Sequence, residues 1–175
     1  LYDFIVPTDG SFSEALAAAA KRTDTSKRFR IFIKQGDYKI PADESSKVTG
    51  SDGNSYANPT TYINTPNVSI IGEGMDNTSL TNTVPSSGQA ANVLEGIGKG
   101  DVLCLQKEAT NTYFQDLKMY SSMGDAKGRD IVLNDQSNKT ICKNVNLWAY
   151  QDTYVSNNQN GKFYFEDGIL RGRTD

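Results

Sequence analysis

Arg129, Asp152 and Asp175 stand at a constant interval of 23 residues. If that interval is one coil of a solenoid, the three side chains stack as a charged ladder on one wall. Two carboxylates at that separation do not ionise independently, which is how a protein draws an acid and a nucleophile from one residue type. The ionised partner can attack an ester carbonyl. The protonated partner can donate to the leaving alkoxide, and the adjacent Gln151 can bond the tetrahedral oxyanion. Neighbours in an extended strand face opposite ways, so Gln151 and Asp152 reach one groove only at a corner. The same text fits an Asp/Asn ladder that bonds turn amides along a solenoid, and both readings stay open at this point. Arg129 either pairs with Asp152, binds an anionic substrate, or lies solvated on the face. Trp148 and Tyr150 flank the run; such rings stack on sugar faces or pack into a wall.

Other chemistry is excluded by composition. The chain of 175 residues has no histidine, so Ser-His-Asp and Cys-His catalytic units cannot be built from it. Cys104 and Cys142 form no CxxC pair, so a zinc site is not expected. Both lie beside apolar residues, which predicts buried free thiols rather than a disulfide. The formal net charge is −3 with cations scattered, which offers no nucleic-acid patch. No apolar stretch has the length of a membrane span.

The elements that must position these residues are short. One helix is expected after Asp9 or Ser11, with Glu14 in its first turn and an alanine run from Ala15 to Ala20. Strands are expected at 4–6, 30–33, 38–40 and 68–71. A nearly unbroken series follows at 101–105, 112–120, 130–134, 139–147, 153–155, 162–166 and 169–171. Residues 41–61 and 81–100 read as polar surface excursions. Three rungs align: Asp116-Leu117-Lys118-Met119, Asn144-Val145-Asn146-Leu147 and Asp167-Gly168-Ile169-Leu170. Their spacings are 28 and then 23 residues. A strand-and-turn repeat of this length predicts an all-β parallel β-helix, with the helix capping its first coil. A β-sandwich with coincidental spacing is the alternative. Residues 1–175 read as one β-helix domain. Its last rung is followed at once by Asp175, so the domain is expected to be incomplete at that end, with the remainder of the polypeptide completing the coil.

Several segments in order resemble pectin methylesterases, carbohydrate esterases with a right-handed parallel β-helix. Residues Val6-Pro7-Thr8-Asp9-Gly10-Ser11-Phe12 and the alanine-rich helix resemble the family's start. Ile33-Lys34-Gln35-Gly36-Asp37-Tyr38 resembles "IKxGxYxE", and Ile70-Ile71-Gly72-Glu73-Gly74 resembles "LIGDG". Leu117-Lys118-Met119-Tyr120 resembles the "ITF.N" strand. Tyr150-Gln151-Asp152-Thr153 is similar to "GYQDTL", and Gly172-Arg173-Thr174-Asp175 to the opening of "GTVDFIFG". The resemblance implies that Asp175 is the nucleophile, Asp152 the general acid and base, and Gln151 an oxyanion-hole residue. It implies attack on the methyl ester of a galacturonate unit, loss of methanol and hydrolysis of an aspartyl acyl-enzyme, with no metal or organic cofactor.

The implied substrate is methyl-esterified homogalacturonan, handled by a monomer that is secreted or periplasmic. No nucleic acid or membrane partner is implied. Arg129 replaces the glutamine of the family's "QAVAL", Ile40 replaces the glutamate of "GxYxE", and "QDTLY" is shortened to Gln151-Asp152-Thr153-Tyr154. The arginine of "LGRPW" would fall beyond Asp175, so this chain alone is expected to be inactive. The competing readings are a β-helix enzyme acting on another ester or thioester, and a catalytically silent β-helix that binds plant or microbial polysaccharide. A pectate lyase would need clustered acidic calcium ligands that Asp152 and Asp175 alone do not supply.

Overall fold

The alternation of apolar and polar residues in short runs builds strands that each bury one face, and here the buried faces close on one another around a common axis. The computed structural model describes residues 1–41, 43–50, 52–58, 60–82, 101–121 and 131–173. The chain runs β1 (Phe4–Val6), α1 (Phe12–Lys21), β2 (Phe29–Ile33), β3 (Gly36–Ile40), β4 (Asp43–Thr49) and β5 (Ser55–Asn58). It continues with β6 (Thr61–Ile63), β7 (Val68–Ile71), β8 (Thr78–Asn82), β9 (Leu103–Leu105) and β10 (Tyr113–Tyr120). Then come β11 (Leu133–Asp135), β12 (Thr140–Trp148), β13 (Tyr154–Ser156), β14 (Phe163–Glu166) and β15 (Ile169–Arg171).

Except for the β4–β5 hairpin, the described strand pairs are parallel. The largest sheet has the order β1-β2-β7-β10-β12-β14, with β3, β8 and β15 extending it. A second sheet has the order β13-β11-β9-β6. The fold is therefore the predicted parallel β-helix. Its core consists of columns of like residues, one per coil. Ile31, Ile70, Phe114 and Cys142 are in register and fully buried. Leu80, Met119 and Leu147 form another such column. Each such burial stabilises the coil by about 1.5–3 kcal/mol. On the last described rung Leu170 continues that column, yet it is 52% exposed.

The helix begins where expected. Ser11 is its N-cap and forms a reciprocal capping box with Glu14. Asp9 instead accepts from the amide of Ile5 at 2.7 Å. Phe12, Ala15, Leu16 and Ala19 are buried at the β1–β2 end of the stack, where they cover the first coil. Cys104 and Cys142 are free and buried, as predicted.

Two expectations need correction. The polar segment 41–61 is not a loop excursion: it contains the antiparallel β4–β5 hairpin and the parallel strand β6. β8, at the start of the second supposed excursion, is an integral rung between β3 and β10. Thr78, Leu80 and Asn82 are buried on its inner face. Residues 83–100 of that excursion lie outside the described residues.

The rung alignment read from the sequence is the observed register. Leu117 pairs with Val145 and Met119 with Leu147, a step of 28 residues; Asn146 pairs with Ile169 and Leu147 with Leu170, a step of 23. The polar residue that opens each rung makes the corner. Asp116, Asn144 and Asp167 have φ of 55°, 53° and 52°, a left-handed conformation that Asn and Asp tolerate best among residues with a Cβ. Asn144 Nδ2 donates to Asp116 Oδ1 at 2.7 Å, and Gln115 Nε2 donates to Asp116 Oδ2 at 2.7 Å. Gly72 packs directly beneath this corner, where a Cβ would come within 2.4 Å of the Asp116 carbonyl oxygen.

Replacing Asn144 by Gly keeps the left-handed backbone and removes only the ladder bond, at a cost of about 1 kcal/mol. Replacing it by Ala loses the bond and adds left-handed strain of about 1–2 kcal/mol. Urea denaturation of the two variants should therefore rank them parent, Asn144→Gly, Asn144→Ala.

Candidate active site

The run that could do chemistry sits on the turn between β12 and β13, where the chain passes from one sheet to the other. Ala149, fully buried, donates its amide to the Arg171 carbonyl at 3.2 Å. The carbonyl of Tyr150 accepts from the Arg173 amide at 2.8 Å. Beyond the turn, Thr153 is buried and its hydroxyl donates to the Arg171 carbonyl at 2.8 Å. The Thr153 carbonyl accepts from the amides of Val132 and Leu133 at 3.3 and 3.1 Å. Gln151 and Asp152, both half-buried, are thus held between anchored residues. Asp152 itself has φ of 55°. The chain breaks its extended course at that residue, so the strict alternation that would send Gln151 and Asp152 to opposite faces does not apply. The corner anticipated from the sequence is present.

β13 then locks the turn from below. The Tyr154 hydroxyl donates to Asp135 Oδ2 at 2.9 Å, and Tyr154 stacks on Phe163 with ring centroids 3.9 Å apart. Asp135 is only 3% exposed. The Ser137 amide and hydroxyl donate to its other oxygen at 2.9 and 2.7 Å. A buried carboxylate with three donors is satisfied and rigidifies the wall on which Asp152 stands.

Of the residues singled out in the sequence, Trp148, Tyr150, Gln151 and Asp152 are brought together within one turn. Arg129 and Asp175 lie outside the described residues. On the wall beside Asp152, Leu133 pairs with Tyr154, a coil step of 21 residues. On the adjoining sheet Trp148 pairs with Arg171, a step of 23 residues. Trp148 lies on the outer face of its sheet, 4.7 Å from the Tyr120 ring centroid, with the Arg171 guanidinium 3.9 Å from its own centroid. Arg171 was not picked out from the sequence. The signal was available: Tyr120, Trp148 and Arg171 each lie four residues after the aligned corners Asp116, Asn144 and Asp167. Among the described residues no three of His, Cys, Asp and Glu are grouped to hold a metal ion.

No protein-family model matches the chain. Among known proteins, it is 26% identical over 180 residues to pectinesterase 2.1 of Solanum lycopersicum, covering 98% of this chain and 27% of that protein. It is 28% identical over 178 residues to probable pectinesterase 56 of Arabidopsis thaliana, covering 99% of this chain and 52% of that protein. The chain resembles pectinesterases. Its fold matches a crystal structure of a pectin methylesterase mutant in complex with a hexasaccharide, with a TM-score of 0.64 and 17% identity. That match covers 98% of this chain and 50% of the other. The chain thus spans between about a quarter and a half of the length of these proteins. Among the described residues no helix is long and apolar enough to cross a membrane.

The groups that lock the site also set a limit in alkali. Burial, reinforced by the Asp135 carboxylate, raises the Tyr154 hydroxyl above its ordinary value. Burial, with Asp101 and Asp135 adding to it, pushes the Cys104 thiol up to about 12. Cys142 is raised chiefly by burial and further by Asp135. For acids raised in the folded state, the stabilisation is complete below the unfolded value and is lost progressively as pH rises from that value through the folded one. Urea midpoints should therefore fall as pH rises above about 9, where unfolded thiols begin to ionise, and further above about 10 with tyrosine. Tyr154→Phe should cost about 1–3 kcal/mol at neutral pH by leaving Asp135 short of a donor. It should also show a smaller decline above pH 10 than the parent.

Proposed function

We propose that the polypeptide to which this chain belongs hydrolyses methyl esters of galacturonate units in pectin, releasing methanol and pectate. The observation that carries this reading is the Gln151-Asp152 corner, set on the turn of a parallel β-helix and followed by Asp175 at the coil step of the adjoining strands. The similarity to pectinesterases over nearly the whole chain supports the substrate class.

In the proposed reaction Asp175 attacks the ester carbonyl carbon. The carbonyl oxygen becomes an oxyanion that the Gln151 amide bonds. The tetrahedral adduct collapses, the bond to the methoxy group breaks, and Asp152 protonates the departing methanol. Asp152, now ionised, draws a proton from water. The hydroxide so formed attacks the aspartyl acyl-enzyme and releases the galacturonate carboxylate with Asp175 restored. Arg129 would stand near this groove in place of an amide, as an anion-binding group for an uronate. Tyr150 and Trp148 would line its approach. The partner is methyl-esterified homogalacturonan, a polymer too large to enter a cell, so the working protein is exported or periplasmic.

The test is methanol release from highly methyl-esterified pectin by the complete polypeptide. Asp175→Asn and Asp152→Asn should each lower kcat by about a thousandfold or more. Gln151→Ala, which removes one oxyanion donor, should lower it by about a hundredfold. A folded, complete polypeptide that binds pectin but releases no methanol would instead identify a silent polysaccharide-binding β-helix.

A further inference from the structure

The outer face of the sheet preceding the site turn carries a row of which the proposed chemistry uses only Trp148, at the edge of the groove. Lys39 on β3, Thr81 on β8, Tyr120 on β10, Trp148 on β12 and Arg171 on β15 are in register, one per coil. Their chain neighbours Leu80, Met119 and Leu147 point into the core, so the row points outward. With rungs about 4.8 Å apart, it extends about 19 Å along the axis. Lys118, in the adjoining outward row, places its ammonium 4.9 Å from the Tyr120 ring centroid and 4.8 Å from that of Trp148. Arg171 covers Trp148 from the next coil.

Rings hold these two cations in place without neutralising them. Among the described residues neither Lys118 nor Arg171 is in an ion pair, whereas Lys143, on the first half of β12, faces Glu166 at 3.9 Å. A guanidinium stacked on an indole keeps its N–H edge for a carboxylate, which it binds bidentately. The result is a local line of positive charge, interleaved with aromatic rings, on a protein whose formal net charge is −3. That arrangement fits a chain with a carboxylate on every sugar and apolar sugar faces between them. The methyl ester of the same polymer has no such charges to offer.

We propose that this outer face is a second polysaccharide site, which binds de-esterified polyuronate along the coil axis through Lys118, Arg171 and Lys39. The identity of the polyanion rests on the pectin-directed reading above. The experiment measures binding of the complete polypeptide to polygalacturonate and to fully methyl-esterified pectin by affinity electrophoresis. Binding to polygalacturonate should be the tighter and should weaken with salt. The double variant Lys118→Gln/Arg171→Gln should bind polygalacturonate at least about tenfold more weakly. Lys143→Gln should bind like the parent, and Arg171→Lys, which keeps the charge on a folded chain, should fall between. Urea midpoints accompany each variant, so that a folding defect is recognised as such.

Equal binding by parent and a folded double variant, or no preference for polygalacturonate, would overturn the proposal. Polygalacturonate carries no ester, so this readout is independent of turnover. Preferential binding without methanol release would refute the esterase reading and leave this site standing. Methanol release without preferential binding would do the reverse.

Discussion

Three consecutive rungs of the longer sheet, from β10 onward, each turn through one residue held in left-handed backbone, and the register of the coils around the candidate site depends on that corner recurring. Asp116, Asn144 and Asp167 hold it at nearly the same φ. The first two are joined by a side-chain hydrogen bond, so each corner helps to fix its neighbour. A shift of one residue in any coil would turn its buried column outward, because side chains alternate strictly along a strand. The corner therefore fixes register. Register in turn stacks Met119 on Leu147 in the core and Tyr120 on Trp148 outside.

The candidate site inherits its geometry from the same constraint. Asp152 adopts the conformation of the rung corners, but on the turn where the chain leaves one sheet for the other. Its flanks are tied on one side to the end of β15 and the residues just after it, and on the other to the start of β11. Below it the buried Asp135 takes donors from Ser137 and Tyr154, a satisfied polar cluster inside an otherwise apolar stack. Such a cluster costs little when every bond is made, and it holds the wall beside Asp152 rigid.

Much of this was legible in the sequence because a solenoid repeats its own text. The aligned corners before Leu117, Val145 and Gly168 predicted both coil steps correctly, and the Ser11–Glu14 pair marked the start of the helix. The β4–β5 hairpin was not legible. Its strands are rich in Ser, Asp, Glu and Asn, and they pair with each other rather than with the core, so no hydrophobic alternation marks them. β8 was missed for a related reason: Thr78 and Asn82 occupy inward positions, and only Leu80 shows an apolar residue there. Within the site, the Gln151-Asp152 pair was visible as a motif and its corner as a requirement. Coils differ in length between walls, 21 residues at β11–β13 against 23 at β12–β15, so one interval read from the text does not describe both. The cations around Trp148 were missed because the aligned rungs were read for their inward residues alone, whereas Lys118 and Arg171 meet the indole at outward positions of the same alignment.

The proposed chemistry requires Asp152 and Asp175 to be neighbours on consecutive coils. The most direct measurement is oxidative cross-linking in the complete polypeptide of a variant carrying Asp152→Cys and Asp175→Cys. A second variant with Lys143→Cys and Glu166→Cys serves as reference, since those positions pair across β12 and β14. Adjacent rungs bring Cα atoms within disulfide range. The native Cys104 and Cys142 are buried and do not compete. Disulfide formation in both variants at comparable rates is the predicted result. A folded protein in which the reference pair oxidises and the 152–175 pair stays reduced would contradict the account.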